Sequence, residues 1–296
     1  MRKFALFLMT IVSINLTAQP YQVGKLNLGL HDPDRGNRRI PVAICYPAME
    51  AGENAPMDTA AATFPVICFG HGFVMNVNSY GNICQALVPA GFIVAFPKTE
   101  TGMAPSHTAL AKDISFVIRF LQEQGNSPGS LFHHRIAATN CAMGHSMGGG
   151  AAVLAASFNK EIHSIVLLAP AETRTSAIEA AGNVVVPALE FSGANDCITP
   201  PSKHHLPIFN TLKSSDKIFI SITGGNHCYM ADDNRLCNLG EASCSGDTQI
   251  SREEQQAIIN RYLLPWLKYH LKGETQAWQE AEKQLFSDKD ITYLKP

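Results

Sequence analysis

Short apolar runs that alternate with helical segments constrain the fold more than any other feature of the sequence. Eight runs are typical of β-strands, at residues 22–30, 39–46, 64–69, 92–96, 136–143, 164–168, 187–191 and 217–222. Helical patterns follow several of them, near residues 79–90, 106–124, 147–158, 201–213 and 251–272. This alternation predicts an α/β fold with a mostly parallel, eight-stranded sheet and helices on both faces. No repeat or linker interrupts it, so we expect a single domain over residues 19–296.

The N-terminus has the pattern of a signal peptide. Arg2 and Lys3 precede an apolar run at 4–12, and small and polar residues then lead to Ala18. We predict a signal peptide over residues 1–18, because the apolar run is shorter than the roughly 20 residues that span a bilayer. A buried N-terminal strand is the alternative. The sequence therefore predicts an exported protein, periplasmic or extracellular, without stable membrane insertion.

The composition excludes two classes of protein. The 23 Lys and Arg residues nearly balance 25 Asp and Glu residues, which gives a formal net charge of -2, and 46% of the residues are hydrophobic. That much apolar material buries a core, so the chain is not disordered. Because no basic run is present, we expect no nucleic-acid partner. The oligomeric state is left open.

The eight cysteines fall into two groups. Those in apolar stretches are expected to be small buried hydrophobes: Cys45, Cys68, Cys84 and Cys141. Those in later, polar segments are candidates for disulfides in an oxidising compartment: Cys197, Cys228, Cys237 and Cys244. We predict a Cys237–Cys244 bridge that closes a short loop, and a Cys197–Cys228 bridge. Zinc binding is the competing interpretation, but no CxxC pair is present and no metal site is predicted.

The strongest motif is Gly144-His145-Ser146-Met147-Gly148, between a predicted strand and a predicted helix. A nucleophile elbow requires this placement, because the tight turn strains the backbone of the serine and leaves room only for glycines beside it. The backbone N–H of Met147 and the positive helix N-terminus would then face a developing oxyanion. A glycine-rich turn without chemistry is the alternative. We predict that Ser146 is a nucleophile.

A nucleophilic serine needs a base and an acid, which follow it in this order in a strand–helix fold of this kind. His227 is the candidate base, since it follows the strand 217–222 and a glycine turn. Asp196 is the candidate acid, on the loop beyond the strand that ends at Phe191. Glu190 is a rival for the acid, but it lies within the strand.

The other histidines are given structural or solvated roles. His71 is expected to brace the loop after the strand 64–69, and His145 faces away from the position of a base. Five further histidines are expected at the surface: His133, His134, His204, His205 and His270.

Two loops complete the predicted site. The loop 70–75 follows the strand 64–69, and the backbone N–H of Phe73 is the predicted second oxyanion donor. Substrate-pocket positions are predicted at Val74, Ala171 and Ile198. Residues 229–250 form a polar loop beyond His227 that either borders the pocket, binds calcium, or is a solvated loop closed by a disulfide.

These residues give the chain a family resemblance. It resembles the α/β-hydrolase superfamily over residues 22–272, and most of all the dienelactone-hydrolase-like group of bacterial cutinases, poly(ethylene terephthalate) hydrolases and chlorophyllase-like esterases. The matching stretches are 64–72, 142–150, 195–200, 206–209 and 224–227. Residues 32–42 resemble the platelet-activating-factor acetylhydrolase branch.

The resemblance implies a function and one departure from it. It implies the α/β-hydrolase fold, a Ser146–His227–Asp196 triad, Phe73 and Met147 as backbone oxyanion donors, and no cofactor. Polyester hydrolases commonly carry an aromatic residue after Ala-Pro, where this chain has Ala171, so a clamp for a flat ring is missing there.

We therefore expect a secreted serine esterase that forms an acyl-enzyme on Ser146 and takes a small-molecule or lipid-like ester. The alternatives are a phospholipase or acetylhydrolase of short-acyl lipids, a lipase or cutinase-type polyester hydrolase, and a peptidase or thioesterase. A non-catalytic secreted binding protein belongs to a different class.

Overall fold

One ten-stranded sheet runs through the computed structural model, which describes residues 20–59, 63–244 and 249–296. The strands are β1 Gln22–Asp32, β2 Arg38–Ala48, β3 Gly52–Glu53, β4 Phe64–Gly70, β5 Ile93–Pro97, β6 Ile136–His145, β7 Ser164–Leu168, β8 Ala188–Gly193, β9 Lys217–Ile222 and β10 Ile291–Leu294. The predicted signal peptide lies outside the described residues.

The sheet is parallel at its centre, with antiparallel pairs towards both sides and the short edge strand β3 parallel to β1. Its spatial order is β10-β9-β8-β7-β6-β4-β5-β2-β1-β3. Strands β4 to β9 pair in parallel, whereas β1, β2 and β5 join antiparallel, as do β9 and β10. The prediction of eight strands was wrong by two, because β3 has two residues and β10 follows a polar C-terminal segment, so neither has an apolar run.

Eight helices are described: α1 Gly81–Leu87, α2 His107–Gln124, α3 Met147–Phe158, α4 Ala177–Ala181, α5 His205–Thr211, α6 Arg235–Ala242, α7 Arg252–Lys272 and α8 Thr275–Leu285. They cover both faces of the sheet, as expected, because the central strands alternate between two cores. In β4, Val66 and Cys68 face the core under α2 and α3, while Ile67 and Phe69 face the core under α1 and α7. No described helix is long and apolar enough to cross a membrane.

Three disulfides differ from the predicted pairing. They join Cys45 to Cys84, Cys197 to Cys244 and Cys228 to Cys237. The predicted Cys237–Cys244 and Cys197–Cys228 bridges were wrong, because residue 237 lies in α6 and residue 244 lies just beyond its end. Seven residues along a helix span about 10.5 Å, whereas a bridge needs Cα atoms about 4.4–6.8 Å apart.

The remaining cysteines divide as two bridged and two free. Cys45 and Cys84 are buried, as expected, but the bridge between them was missed because 39 residues of sequence separate them. Cys68 and Cys141 are free and buried, which confirms their interpretation as small hydrophobes.

The parallel pairing fixes where a site can form. Strands β4, β6, β7, β8 and β9 all end at the same edge, so the loops that follow them meet there. These loops contain all the residues predicted to carry chemistry.

Candidate active site

The turn between β6 and α3 is strained at Ser146, whose backbone has φ 55° and ψ −121°. Glycines allow the turn to be this tight. A Cβ at Gly144 would lie 2.2 Å from the carbonyl oxygen of Gly148, and a Cβ at Gly148 would lie 2.0 Å from that of Gly70. A strained non-glycine residue is stable only where its surroundings impose the conformation, which is typical of functional sites.

Backbone hydrogen bonds hold this turn against the next strand. Ser146 donates from its N–H to the carbonyl of Leu168 (2.9 Å) and accepts at its own carbonyl from Gly150 (3.1 Å) and Ala171 (2.9 Å). The predicted pocket residue Ala171 is therefore directly beside Ser146. Its side chain is half-buried.

The loops after β8 and β9 bring Asp196 and His227 together. His227 Nδ1 donates to Asp196 Oδ2 over 2.7 Å, and both residues are buried. The His227 ring lies 4.7 Å from the ring of His145, the residue before Ser146. With Nδ1 engaged, Nε2 is the ring nitrogen left to exchange a proton.

The carboxyl group of Asp196 favours its charged form. Burial raises its pKa, but the charge and hydrogen bond of His227, the nearby His205 and the backbone N–H of Thr199 outweigh burial and hold the pKa below its ordinary value. An ionised acid stabilises the imidazolium that forms when a histidine accepts a proton.

The rival carboxyl group, Glu190, is in a different environment. It lies in β8, fully buried, and neither of its oxygens has a hydrogen-bond partner. Burial raises its pKa well above the ordinary value, although the charge of Lys217 acts in the opposite direction. Glu190 therefore has no bond to a histidine that would make it the acid of this site.

The loop after β4 lies against the turn at Ser146. His71 bridges the carbonyls of Gly72 (2.9 Å) and Thr99 (2.7 Å), so its bracing role is confirmed. The N–H of Gly72 donates to the hydroxyl of Tyr80 (2.7 Å), and that hydroxyl lies 3.0 Å from His145 Nδ1.

The two predicted oxyanion donors belong to these adjoining segments. Phe73 follows Gly72, and its side chain is 44% exposed. Met147 opens α3, where backbone N–H groups have no acceptor within the helix. The predicted pocket residue Val74 follows Phe73 with a positive φ of 49°.

Sequence reasoning missed a polar cluster behind Asp196. The hydroxyl of Thr199 lies 3.0 Å from Asp196 Oδ2 and 3.0 Å from His205 Nε2, and His205 Nδ1 lies 2.8 Å from the hydroxyl of Ser192. The surface location predicted for His205 was wrong, since it is 0% exposed and burial lowers its pKa to about 3. Ser192, a polar residue besides Glu190 in the buried strand β8, was the one available signal.

The other histidines predicted at the surface divide. His270 is largely buried against Trp266, so its prediction was wrong. His204 is half-buried and accepts from the N–H of Glu172 (3.0 Å). His133 and His134 stack on each other at 3.7 Å with exposed or partly exposed side chains, in agreement with the prediction.

The segment beyond His227 is fastened to both loops of the site. Glu241 in α6 accepts from the N–H groups of His227 (2.8 Å) and Cys228 (3.4 Å). The Cys228–Cys237 and Cys197–Cys244 bridges attach the residues that directly follow His227 and Asp196. We call α6 with these two bridges and Glu241 the clamp.

The predicted pocket residue Ile198 lies beside the clamp. It is 37% exposed, and a Cβ at Gly240 would lie 3.4 Å from its Cδ1. Calcium was one interpretation of this segment, but Asp232 accepts from the N–H of Asn82 (3.1 Å) and Asp233 from Asn238 (2.7 Å). Within the described ranges, no three His, Cys, Asp or Glu side chains are grouped to hold a metal ion.

A parallel sheet with a strained serine after one strand, and a bonded Asp–His pair on the loops after two later strands, defines the α/β-hydrolase class. A family model described as PET hydrolase-like matches residues 51–281, and the chain belongs to that family.

The similar curated proteins include three hydrolases. Cutinase est1 of Thermobifida alba is 26% identical over 167 residues, which cover 56% of this chain and 54% of that protein. Bis(hydroxyethyl) terephthalate hydrolase of Streptomyces coelicolor is 22% identical over 222 residues, 75% of this chain and 62% of that protein. Cutinase 1 of Thermobifida cellulosilytica is 23% identical over 219 residues, which cover 73% of this chain and 72% of that protein. The chain thus spans only about half to three fifths of the first two relatives.

Proposed function

We propose that this protein is a serine hydrolase that cleaves carboxylic esters through an acyl-enzyme on Ser146. The observation that carries the proposal is the 2.7 Å hydrogen bond between His227 and Asp196. The imidazole ring of His227 lies 4.7 Å from the ring of His145, the residue that precedes the strained Ser146. Membership in the PET hydrolase-like family supports it.

The mechanism follows from these positions. His227 Nε2 takes the proton of the Ser146 hydroxyl as Oγ attacks the ester carbonyl, and Asp196 stabilises the imidazolium. The backbone N–H groups of Phe73 and Met147 bind the oxyanion of the tetrahedral intermediate. His227 then gives the proton to the departing alcohol. Water, deprotonated by His227, hydrolyses the acyl-enzyme and restores Ser146.

The substrate class comes from the relatives and from position 171. Two relatives are a cutinase and a bis(hydroxyethyl) terephthalate hydrolase. Ala171 contributes only a methyl group beside Ser146, so this position offers no ring that would stack on an aromatic substrate. We infer that small, soluble carboxylic esters are better substrates than a solid aromatic polyester.

The test is hydrolysis of p-nitrophenyl esters of increasing acyl length by residues 19–296. Ser146→Ala should lower turnover by several orders of magnitude with an unchanged melting temperature. Ser157→Ala, at the other end of the same helix, is the matched control and should keep wild-type turnover. A fluorophosphonate should label the wild-type protein and Ser157→Ala but not Ser146→Ala. Hydrolysis by folded Ser146→Ala at the wild-type rate would refute the proposal, and a long-chain optimum would shift it towards lipase activity.

Export is part of the same proposal. The three disulfides fit an oxidising compartment. We infer that residues 1–18 are removed after Ala18 and that residues 19–296 act as a single domain in the periplasm or outside the cell. N-terminal sequencing of the protein recovered from those fractions should begin at Gln19, and recovery of the chain with Met1 intact would contradict this.

A further inference from the structure

A buried cluster of polar side chains lies against Asp196 and reaches Nδ1 of the His227 ring, 2.9 Å from the Thr199 hydroxyl. It consists of Thr199, His205 and Ser192, all of them buried. Successive contacts measure 3.0 Å from Asp196 to Thr199, 3.0 Å from Thr199 to His205, and 2.8 Å from His205 to Ser192. Burying polar groups costs free energy that apolar side chains in the same space would not cost. The presence of this cluster therefore indicates a functional role.

The chemistry of the groups fixes the direction of the hydrogen bonds. An ionised carboxylate only accepts, so the Thr199 hydroxyl donates to Asp196 Oδ2, and the carbonyl of Ala169 is a more distant acceptor at 3.4 Å. The Thr199 oxygen then accepts from His205 Nε2–H. Because buried His205 is neutral, its Nδ1 has a free lone pair that accepts from the Ser192 hydroxyl. All three donors therefore point towards Asp196.

Asp196 thus receives donors from two directions. His227 Nδ1 and the Thr199 hydroxyl both reach Oδ2, while the N–H of Thr199 reaches Oδ1 over 2.8 Å. Each donor draws charge from the carboxylate and fixes the plane of its oxygens. Less charge on Asp196 means less attraction for the proton that His227 takes from Ser146.

We propose that Thr199, His205 and Ser192 are positioning residues that orient Asp196 and moderate its charge, and that Asp196 in turn orients the His227 ring that accepts the Ser146 proton. This inference rests on the proposed function of the site. None of the three side chains is assigned a contact with substrate. Thr199 contacts both members of the pair, because its hydroxyl lies 3.0 Å from Asp196 Oδ2 and 2.9 Å from His227 Nδ1. His205 and Ser192 lie one and two contacts further along the cluster, so the influence of the three residues should decrease in that order.

Other titratable groups also face the pair and have to remain unchanged in the test. His145 lies against the His227 ring, Glu241 accepts from the His227 N–H, and His204 is close enough to Asp196 to feel its charge. The variants below leave these three residues intact, so a change in the titration of His227 reports on the cluster.

The experiment pairs each disruptive variant with a conservative one. Thr199→Val removes the hydroxyl at constant shape, and Thr199→Ser keeps it. His205→Leu removes the donor, while His205→Gln keeps an N–H near the position of Nε2. Ser192→Ala removes the last link of the cluster.

The first readout is the titration midpoint of the His227 ring, which is measured by NMR on protein with ¹³C-labelled histidine. We expect the midpoint to rise by roughly half a pH unit in Thr199→Val, by less in His205→Leu and by least in Ser192→Ala. Thr199→Ser and His205→Gln should match the wild type. In the disruptive variants, the acid limb of the pH profile of kcat/KM should shift to higher pH by a similar amount. In these variants kcat should be lowered and KM unchanged.

The titration does not require turnover, so the two proposals can fail separately. If Ser146 neither hydrolyses esters nor reacts with a fluorophosphonate, the proposed function fails, while the ordered shift of the midpoint would still support the cluster. If Thr199→Val does not fold, as judged by near-UV circular dichroism, His205→Leu and Ser192→Ala carry the test. Lower stability without any shift of the His227 midpoint would overturn the inference.

Discussion

At the scale of single residues, the two buried carboxyl groups of β8 and its following loop show how environment decides chemistry. Asp196 is bonded to His227 and to Thr199, and its pKa is lowered despite burial. Glu190 has no such partner, and burial raises its pKa well above the ordinary value of 4.5. The first group is available as a charged acid, whereas the second is uncharged at moderately acidic pH and costs stability when it ionises.

Glu190 should therefore make stability depend on pH in a definite direction. Because its pKa is higher in the folded than in the unfolded chain, the stability present below about pH 4.5 is lost as the pH rises towards the folded-state pKa. Glu190→Gln should increase the free energy of unfolding by roughly 1–3 kcal/mol at pH 8 and change it little at pH 4. Urea unfolding at the two pH values measures this.

The matched control for that experiment is Glu161→Gln, at an exposed position before β7. It should leave stability unchanged at both pH values. An equal gain from Glu190→Gln at pH 4 and pH 8 would show that ionisation of Glu190 is not the cause.

At the scale of elements, the clamp ties the Asp196 and His227 loops to one helix. The two bridges leave from Cys197 and Cys228, and Glu241 fixes the backbone of His227 between them. The third bridge, Cys45–Cys84, joins β2 to α1 and contains neither residue of the pair. The three disulfides should therefore have different roles.

We expect the Cys228→Ser/Cys237→Ser variant to lose roughly tenfold to a hundredfold in kcat/KM, because His227 would no longer be held in place. The Cys45→Ser/Cys84→Ser variant should keep kcat/KM and lose about 2–4 kcal/mol of unfolding free energy. Ester kinetics at 20 °C and chemical unfolding of both variants measure the two effects. Equal kinetic losses in the two variants would contradict a special role for the clamp.

How closely the sequence predicts the bounds of an element depends on the residues of that element. Helix α3 and strands β7 and β9 were predicted at their observed bounds, because each is a continuous apolar or small-residue run. Helix α6 was missed because its charged and polar residues obscure the helical pattern. The disulfide pairing that depends on α6 was therefore also missed.

The candidate site was predicted to a similar extent. Ser146, Asp196 and His227 could be located because the strand ends of a parallel sheet converge. The Thr199–His205–Ser192 cluster could not, because it depends on how α5 packs against β8, and no periodicity in the sequence records that packing.

At the scale of the whole molecule, the sheet brings together loops from five strands at one edge, and under the proposed function these loops would select the ester that reaches Ser146. The loop after β7 lies directly against Ser146, since Ala171 donates its N–H to the Ser146 carbonyl. We expect a side chain at position 171 to border the space in which a substrate of the proposed reaction would lie. Because the side chain of Ala171 is a methyl group, this position offers no aromatic surface on which a substrate ring could stack.

Ala171→Trp should change the preference of the whole protein from aliphatic towards aromatic esters. An aromatic pair contributes about 0.5–1.5 kcal/mol beyond the area it buries, which corresponds to roughly a twofold to tenfold gain. We expect that gain in kcat/KM for bis(hydroxyethyl) terephthalate relative to p-nitrophenyl butyrate, measured with both substrates on the same preparation. Ala171→Leu adds apolar bulk without a ring and is the control. If Leu raises the ratio as much as Trp does, stacking is not the cause, and the space beside Ser146 selects by size alone.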